Sequence, residues 1–204
     1  MLASHIEVMI SIGLISLIVG GCYFIFYRIR HRKMKTAHFF RHWVFLTYLL
    51  MVGGLTLLPL PGPDDFLSAD EEHYIFIPFN FLKRIYIYLQ ANPPSSFHPP
   101  FIGMLFDDLL MQPILNIVLM IPLGFYFNRY LKWSLLRTLM ATFLFSFIIE
   151  LLQLTGLLFI YDQPYRLFEV DDLMTNTFGG FCGFWLSNYL KQHYRSQNLI
   201  KSLK

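Results

Sequence analysis

The sequence predicts an all-α protein: a polytopic transmembrane helical bundle of about five spans, with its N-terminus outside and its C-terminus cytoplasmic. An interfacial helix in a long outer loop completes the expectation. Three observations predict this class. Hydrophobic residues make up 55% of the 204 positions and charged residues only 14%, against roughly 25% charged in an average soluble domain. The apolar residues, with Phe and Tyr prominent, come in long blocks rather than short periodic stripes. Basic and acidic residues separate onto opposite ends of those blocks.

Each block is judged against the roughly 20 apolar residues that cross a bilayer. Ile6–Tyr27 is the first span, with Glu7 its only charge. Arg41–Leu60 is the second, its apolar part beginning at Trp43. Pro113–Phe127 is shorter, is interrupted by Pro122, and needs Met111 and Tyr130 at its margins to cross. Trp133–Ile160 is long enough to tilt or to end before Ile160. Leu173–Leu190 is the fifth and the richest in glycine. Tyr74–Leu89 is apolar and aromatic but holds Pro78, Asn80, Lys83 and Arg84, so it reads as an interfacial helix and not a span.

Charge sets the orientation. Arg28, Arg30, Arg32, Lys33, Lys35 and Arg41 lie between spans one and two. Arg129, Lys132 and Arg137 lie between three and four, and Lys191, Arg195, Lys201 and Lys204 follow span five. That puts 13 of the 16 basic residues on one side, and an excess of Lys and Arg marks the cytoplasm. All the acids fall on the opposite side or in the outer half of a span. The first block has no basic residue before it and a basic cluster after it, so it reads as a retained anchor and not a cleaved signal peptide. The organisation expected is an anchor and basic loop over 1–43, a transmembrane domain over 44–190 and a cytoplasmic tail over 191–204.

Several classes drop out. A net charge of +3 without basic–aromatic alternation gives no sign of nucleic acid as a partner. Cys22 and Cys182 sit in apolar blocks, against a disulfide framework. His38 and His42 border the basic loop, and His73 and His98 have no metal-ligand spacing, so no metal and no cofactor is expected. Membrane lipid is the one partner the composition requires, and nothing fixes an oligomeric state. The outer connection Pro61–Met111 opens on Pro61-Gly62-Pro63 and contains Asn92-Pro93-Pro94 and Pro99-Pro100, which favour extended backbone. Within it, Tyr74–Leu89 and Phe101–Leu110 are expected against the membrane surface, as a spacer or as a cover for a ligand.

The candidate site begins in span four. Glu150 and Gln153 are three apart and share a helix face. Glu150 lies about 22 Å up the helix from Leu135, at about 1.5 Å per residue, in the outer third of the layer. A carboxylate there is costly and should face a partner or water. In span five, Asp172 and Asn176 are four apart, and Gly179 and Gly183 form a small-xxx-small pair that admits another helix closely. Spans four and five are antiparallel, which brings Glu150 and Asp172 to a similar depth. Arg166, in the loop between them, is the nearest cation to Glu150, Asp171 and Asp172. One Arg cannot neutralise three acids: either one carboxyl is protonated, or the site awaits a cation, or Asp171 faces solvent. Asn116 in span three needs a bonding partner, Pro122 should kink that span, and Asn80 adds a polar residue at the outer surface.

Asn116-Ile-Val-Leu-Met-Ile-Pro122-Leu-Gly124, Glu150-x-x-Gln153, Arg166 and Asp171-Asp172-x-x-x-Asn176-Thr177-x-Gly179-Gly180, in this order and spacing, resemble the VanZ-like membrane protein family. Pro78-Phe79-Asn80 fits an upstream element of the same pattern, and the likeness runs from about Val44 to Leu190. Two positions depart from it: Tyr165 stands where a small residue is frequent, and Glu169 where Asp is. The resemblance implies a multi-pass protein of the bacterial plasma membrane that lowers susceptibility to teicoplanin-type lipoglycopeptide antibiotics, without defining a mechanism. A lipoglycopeptide or a lipid-linked cell-wall component is then the ligand expected at the outer face. An enzyme acting on a lipid-linked head group and a small proton- or ion-coupled transporter are the alternatives. On the blandest reading the polar residues are only interhelical bonds worth about 0.6 kcal/mol each, though such bonds could be made with fewer ionisable groups.

Overall fold

The computed structural model describes residues 2–30, 36–58, 73–92, 103, 109–164 and 166–202. About half of the Pro61–Met111 connection, including seven of the ten residues of Phe101–Leu110, lies outside the described residues, as do part of the first basic loop and Tyr165. The chain divides into two compact units, Met1–Leu67 and Ser68–Lys204.

The first unit is a hairpin of α1 (Leu2–Arg30) and α2 (Thr36–Leu57). Its seam pairs small residues on α1 with aromatic ones on α2. The Trp43 Nε1 donates to the carbonyl oxygen of Ser16 at 2.9 Å, and the hydroxyls of Ser16 and Thr47 hydrogen-bond. Gly20 leaves the room that the Trp43 indole fills. Phe39 closes the seam, buried against Phe24 with ring centroids 4.8 Å apart. The outward faces carry exposed Leu14, Ile18, Ile25 and Val44, which suits lipid and not water.

The second unit is built on three helices: α4 (Met111–Arg129), α5 (Leu135–Leu154) and α6 (Val170–Ser202). Helix α6 runs parallel to α4, with Asp172 beside Asn116 and Ser187 beside Asn128, and antiparallel to α5, with Asn176 beside Ser146. Backbones meet at glycines. A Cβ on Gly124, Gly179, Gly180 or Gly183 would come within 3.0 Å of Gly180, Ile117, Thr142 or Ile121 respectively, closer than real Cβ atoms lie. Small residues are the means by which helices pack where no hydrophobic force separates them from lipid. From α5 a stripe of Thr138, Thr142, Ser146 and Glu150, each four residues from the last, turns inward and is buried. At the basic end, the Asn128 Oδ1 accepts from Ser187 Oγ at 2.7 Å and from Lys191 Nζ at 2.6 Å, which ties α4 to α6.

The connections position the polar end. Helix α5 stops at Leu154, short of Ile160, because the backbone enters the left-handed region from Gly156 (φ 55°) through Phe159 (φ 64°). The expected single helix over Tyr74–Leu89 is instead a strand and a shorter helix. Strand β1 (Tyr74–Ile75) pairs in parallel with β2 (Phe168–Glu169), in the register Tyr74↔Phe168 and Ile75↔Glu169. Pro78 lacks an N–H and biases the residue before it away from helix, and Phe79 is left-handed at φ 59°. Helix α3 (Asn80–Ala91) starts only after them and has no buried residue. Among the described residues, three helical stretches are long and apolar enough to cross a membrane: Phe39–Leu57, Met111–Arg129 and Leu135–Leu154. A shorter apolar stretch is Ile10–Phe26. Helix α6 is long enough, but its acids, amides and glycines make it too polar to join them.

Candidate functional site

The first turn of α6 carries Asp171 and Asp172, where the helix dipole favours negative charge. Consecutive helix residues point about 100° apart, so the two acids take different partners. The Asp172 Oδ1 accepts from Asn116 Nδ2 at 2.7 Å, and Gln112 Nε2 reaches both its oxygens at 3.2 Å. Gln112 and Asn116 are one turn apart on α4, so one face of that helix presents two amides to one carboxylate. Thr175, one turn into α6, donates back to the Asp171 carbonyl at 2.8 Å.

Asp171 turns to α3. Its Oδ2 accepts the backbone N–H of Phe81 at 2.8 Å. The left-handed Phe79 that starts α3 supplies no side-chain cap, so a carboxylate from another element satisfies one of the helix's orphan donors. Of the three alternatives left open for the acids, solvent exposure of Asp171 is overturned: the residue is 4% exposed. Asn80, half-buried, is the first residue of the helix so held.

Glu169 completes this tier. It follows Phe168 in the buried strand β2, and its Oε1 lies 3.7 Å from Arg84 Nη1. Burial pushes its carboxyl above the usual glutamate range; Arg84 opposes the rise and the Asp171 charge adds to it. Glu150 sits beneath, 3% exposed, with its Oε2 accepting the Glu169 N–H at 3.4 Å. Gln153 is buried one turn further along α5, and the Asn176 Nδ2 donates to Ser146 Oγ at 2.8 Å.

Seven of the eight residues singled out in the sequence thus fall at one end of the second unit, on α3, α4, α5 and α6. Arg166 is exposed, and the ion pair seen at the cluster among the described residues is not made by it. Among the described residues, the cation in ion-pair contact with the cluster is Arg84. Sequence reasoning did not place Arg84, Gln112, Ser146 or Glu169 in the site. Gln112 had a signal, its four-residue spacing from Asn116; Arg84 had none, because its reach to Glu169 depends on the Phe79 turn.

Between α3, α4, β2 and α6 is a small pocket lined by Phe81, Arg84, Gln112, Glu169, Asp171, Asp172 and Thr175, with Leu109 and Pro113 at its apolar side. Its free space of about 10 Å³ suits one water-sized group. Two buried oxygens of the cluster, Asp171 Oδ1 and Asn176 Oδ1, have no hydrogen-bond partner among the described residues. Nor do the described residues form a group of three or more His, Cys, Asp and Glu arranged to hold a metal. What the arrangement offers chemically is a buried, acid-rich acceptor set with one guanidinium at its edge.

No curated protein and no solved structure matches the chain. The family model VanZ/LLP1 matches residues 45–191, well over half of the sequence, and that stretch contains the whole cluster from Asn80 to Asn176. The chain belongs to the VanZ/LLP1 family.

Proposed function

We propose that this is a bacterial plasma-membrane protein of five spans, N-terminus outside, that lowers susceptibility to teicoplanin-type lipoglycopeptides by binding an amphiphilic or lipid-linked cell-wall ligand at the Glu150–Asp172 cluster. The observation that carries this reading is the convergence of four carboxylates, Glu150, Glu169, Asp171 and Asp172, from two helices and a strand at one end of the unit. Holding helices together does not require so many ionisable groups, since neutral amides bridge helices without a buried charge. Arg129, Lys132 and Lys191 gather at the opposite end, which supports the cluster's end as the outer one. Helix α3, with exposed Leu82, Tyr86 and Ile87, suits a place at the membrane surface beside the cluster.

The test is drug susceptibility in a bacterial strain lacking its own copy, with membrane abundance checked by immunoblot. Glu150→Gln and Asp172→Asn keep shape and hydrogen bonding but remove charge. Both variants are expected to reach the membrane at wild-type abundance and fail to lower susceptibility. Arg84→Gln tests the cation that contacts the cluster, and Arg166→Gln the one that does not. Full protection from both carboxylate variants would leave the cluster a purely structural feature. Turnover of a labelled lipid precursor by purified protein would instead make the site enzymatic, and ion flux in proteoliposomes would make it a transporter.

A further inference from the structure

We infer that the pocket between α3, α4, β2 and α6 binds a primary ammonium group, with Asp171 Oδ1 as its principal acceptor. The inference names the ligand chemistry of the site proposed above and rests on that reading for access from the outer face. Three observations carry it.

The first is the unmet acceptor. Asp171 is almost wholly buried, its Oδ2 is committed to the Phe81 N–H, and its Oδ1 has no partner among the described residues. A buried carboxylate oxygen left unpaired is costly, so the native site should supply a donor. The second is charge. Among the described residues, Asp171, Asp172 and Glu169 line the pocket against the single guanidinium of Arg84, which already faces Glu169. Both oxygens of Asp172 are held by neutral amides, which satisfy hydrogen bonding and leave its charge uncompensated. The third is size. Such a narrow space fits an –NH₃⁺ better than a quaternary ammonium or a phosphate. A water would meet the acceptor but not the charge; an ammonium, with three donors and a positive charge, meets both. At a membrane face such a group arrives on an aminated phospholipid or on a lipid-linked precursor bearing a diamino acid, and the chemistry at Asp171 is the same for both.

The experiment uses the full-length protein purified in detergent and follows thermal unfolding against ethylammonium and tetramethylammonium chloride at matched ionic strength. Ethylammonium is expected to stabilise the wild type and tetramethylammonium to have no effect. Asp171→Asn should weaken apparent ethylammonium affinity about tenfold or more, the scale of one hydrogen bond to a charged group. The asparagine Oδ1 still accepts from Phe81, so α3 keeps its cap, and the variant's unfolding midpoint without ligand reports whether it has. Arg84→Gln gives a result of known sign: it removes the competing cation and should tighten ethylammonium, whereas a phosphate-binding pocket would lose its ligand. Retention of phosphatidylethanolamine over phosphatidylcholine in native mass spectrometry would identify the lipid as the source. Ethylammonium stabilisation with no such preference, but with competition by a lysine amide, would identify the precursor. Equal effects of the two ammonium ions, undiminished binding in Asp171→Asn, or weaker binding in Arg84→Gln would each overturn the inference. None of these readouts involves drug sensitivity, so loss of protection in the susceptibility assay with ammonium binding absent would remove this inference and leave the proposed function standing.

Discussion

Asp171 and Asp172 are adjacent in sequence and separate in role, one capping α3 and the other gathering the amides of α4. The spacing of Glu150 to Gln153 and of Asp172 to Asn176 was legible because it follows from helix periodicity alone. The partner of each acid was not, because it lies on another element and depends on how that element turns. Arg84 shows the difference: its charge was visible in the sequence, its contact with Glu169 was not. Glu169 also carries a pH dependence. Its folded carboxyl is held above the ordinary value of about 4.3, chiefly by burial, with Asp171 raising it further and Arg84 opposing. Asp172 and Glu150 also bear on it, and Glu150 accepts its backbone N–H. The folded state therefore binds the Glu169 proton more tightly than the unfolded chain does. Between the unfolded and folded values the native state holds more protons, so stability falls as pH rises through that window. Glu169→Gln is expected to shallow the fall, measured as unfolding midpoints of detergent-purified protein over roughly pH 4–8. An unchanged slope in the variant would assign the dependence to another group.

At the scale of elements, the sequence was most informative where residue size or backbone chemistry decides the outcome. Trp133–Ile160 was too long for a simple span, and the chain resolves this with the left-handed turn at Gly156. The proline and left-handed phenylalanine at 78–79 convert the expected long interfacial helix into a strand and α3, and the strand's partner, β2, had no readable signal in two residues. Gly179 and Gly183 announced a close helix approach; only the fold shows that the visitor is α4, bringing Gly124 with it. This contact makes a sharp prediction. A side chain at Gly183 meets the Ile121 carbonyl and the Phe125 amide, backbone that cannot step aside without moving α4. Overpacking of this kind costs about 1–3 kcal/mol, so Gly183→Leu should lower the unfolding midpoint and the membrane yield. Phe184→Leu, at a half-buried neighbour on the same helix, should be milder. Equal yield and midpoint for Gly183→Leu and the wild type would dispose of the contact.

At the scale of the whole molecule, the helical class and membrane character were legible in block length, while the division into a hairpin and a second unit was not. Which helices pair depends on seams such as Gly20 with Trp43, and composition does not reveal them. Orientation is the whole-molecule property that the site depends on, because the proposed ligand reaches the cluster only if the acidic end is outside. The charge asymmetry that predicts this is a sum over many residues, so no single loop decides it. Two exposed positions in the second unit test it directly: Gln163, between α5 and β2 near the cluster, and Gln192, past Lys191 at the basic end of α6. In a variant with Cys22 and Cys182 replaced by serine, Gln163→Cys is expected to label with a membrane-impermeant maleimide in intact cells. Gln192→Cys should label only after the cells are opened. Both substitutions replace exposed polar side chains, so neither should disturb packing, and opened cells provide the control for reactivity of each thiol. The reverse pattern would place the acid cluster in the cytoplasm and rule out an extracellular ligand at Asp171 and Asp172, whatever the behaviour of the site in detergent.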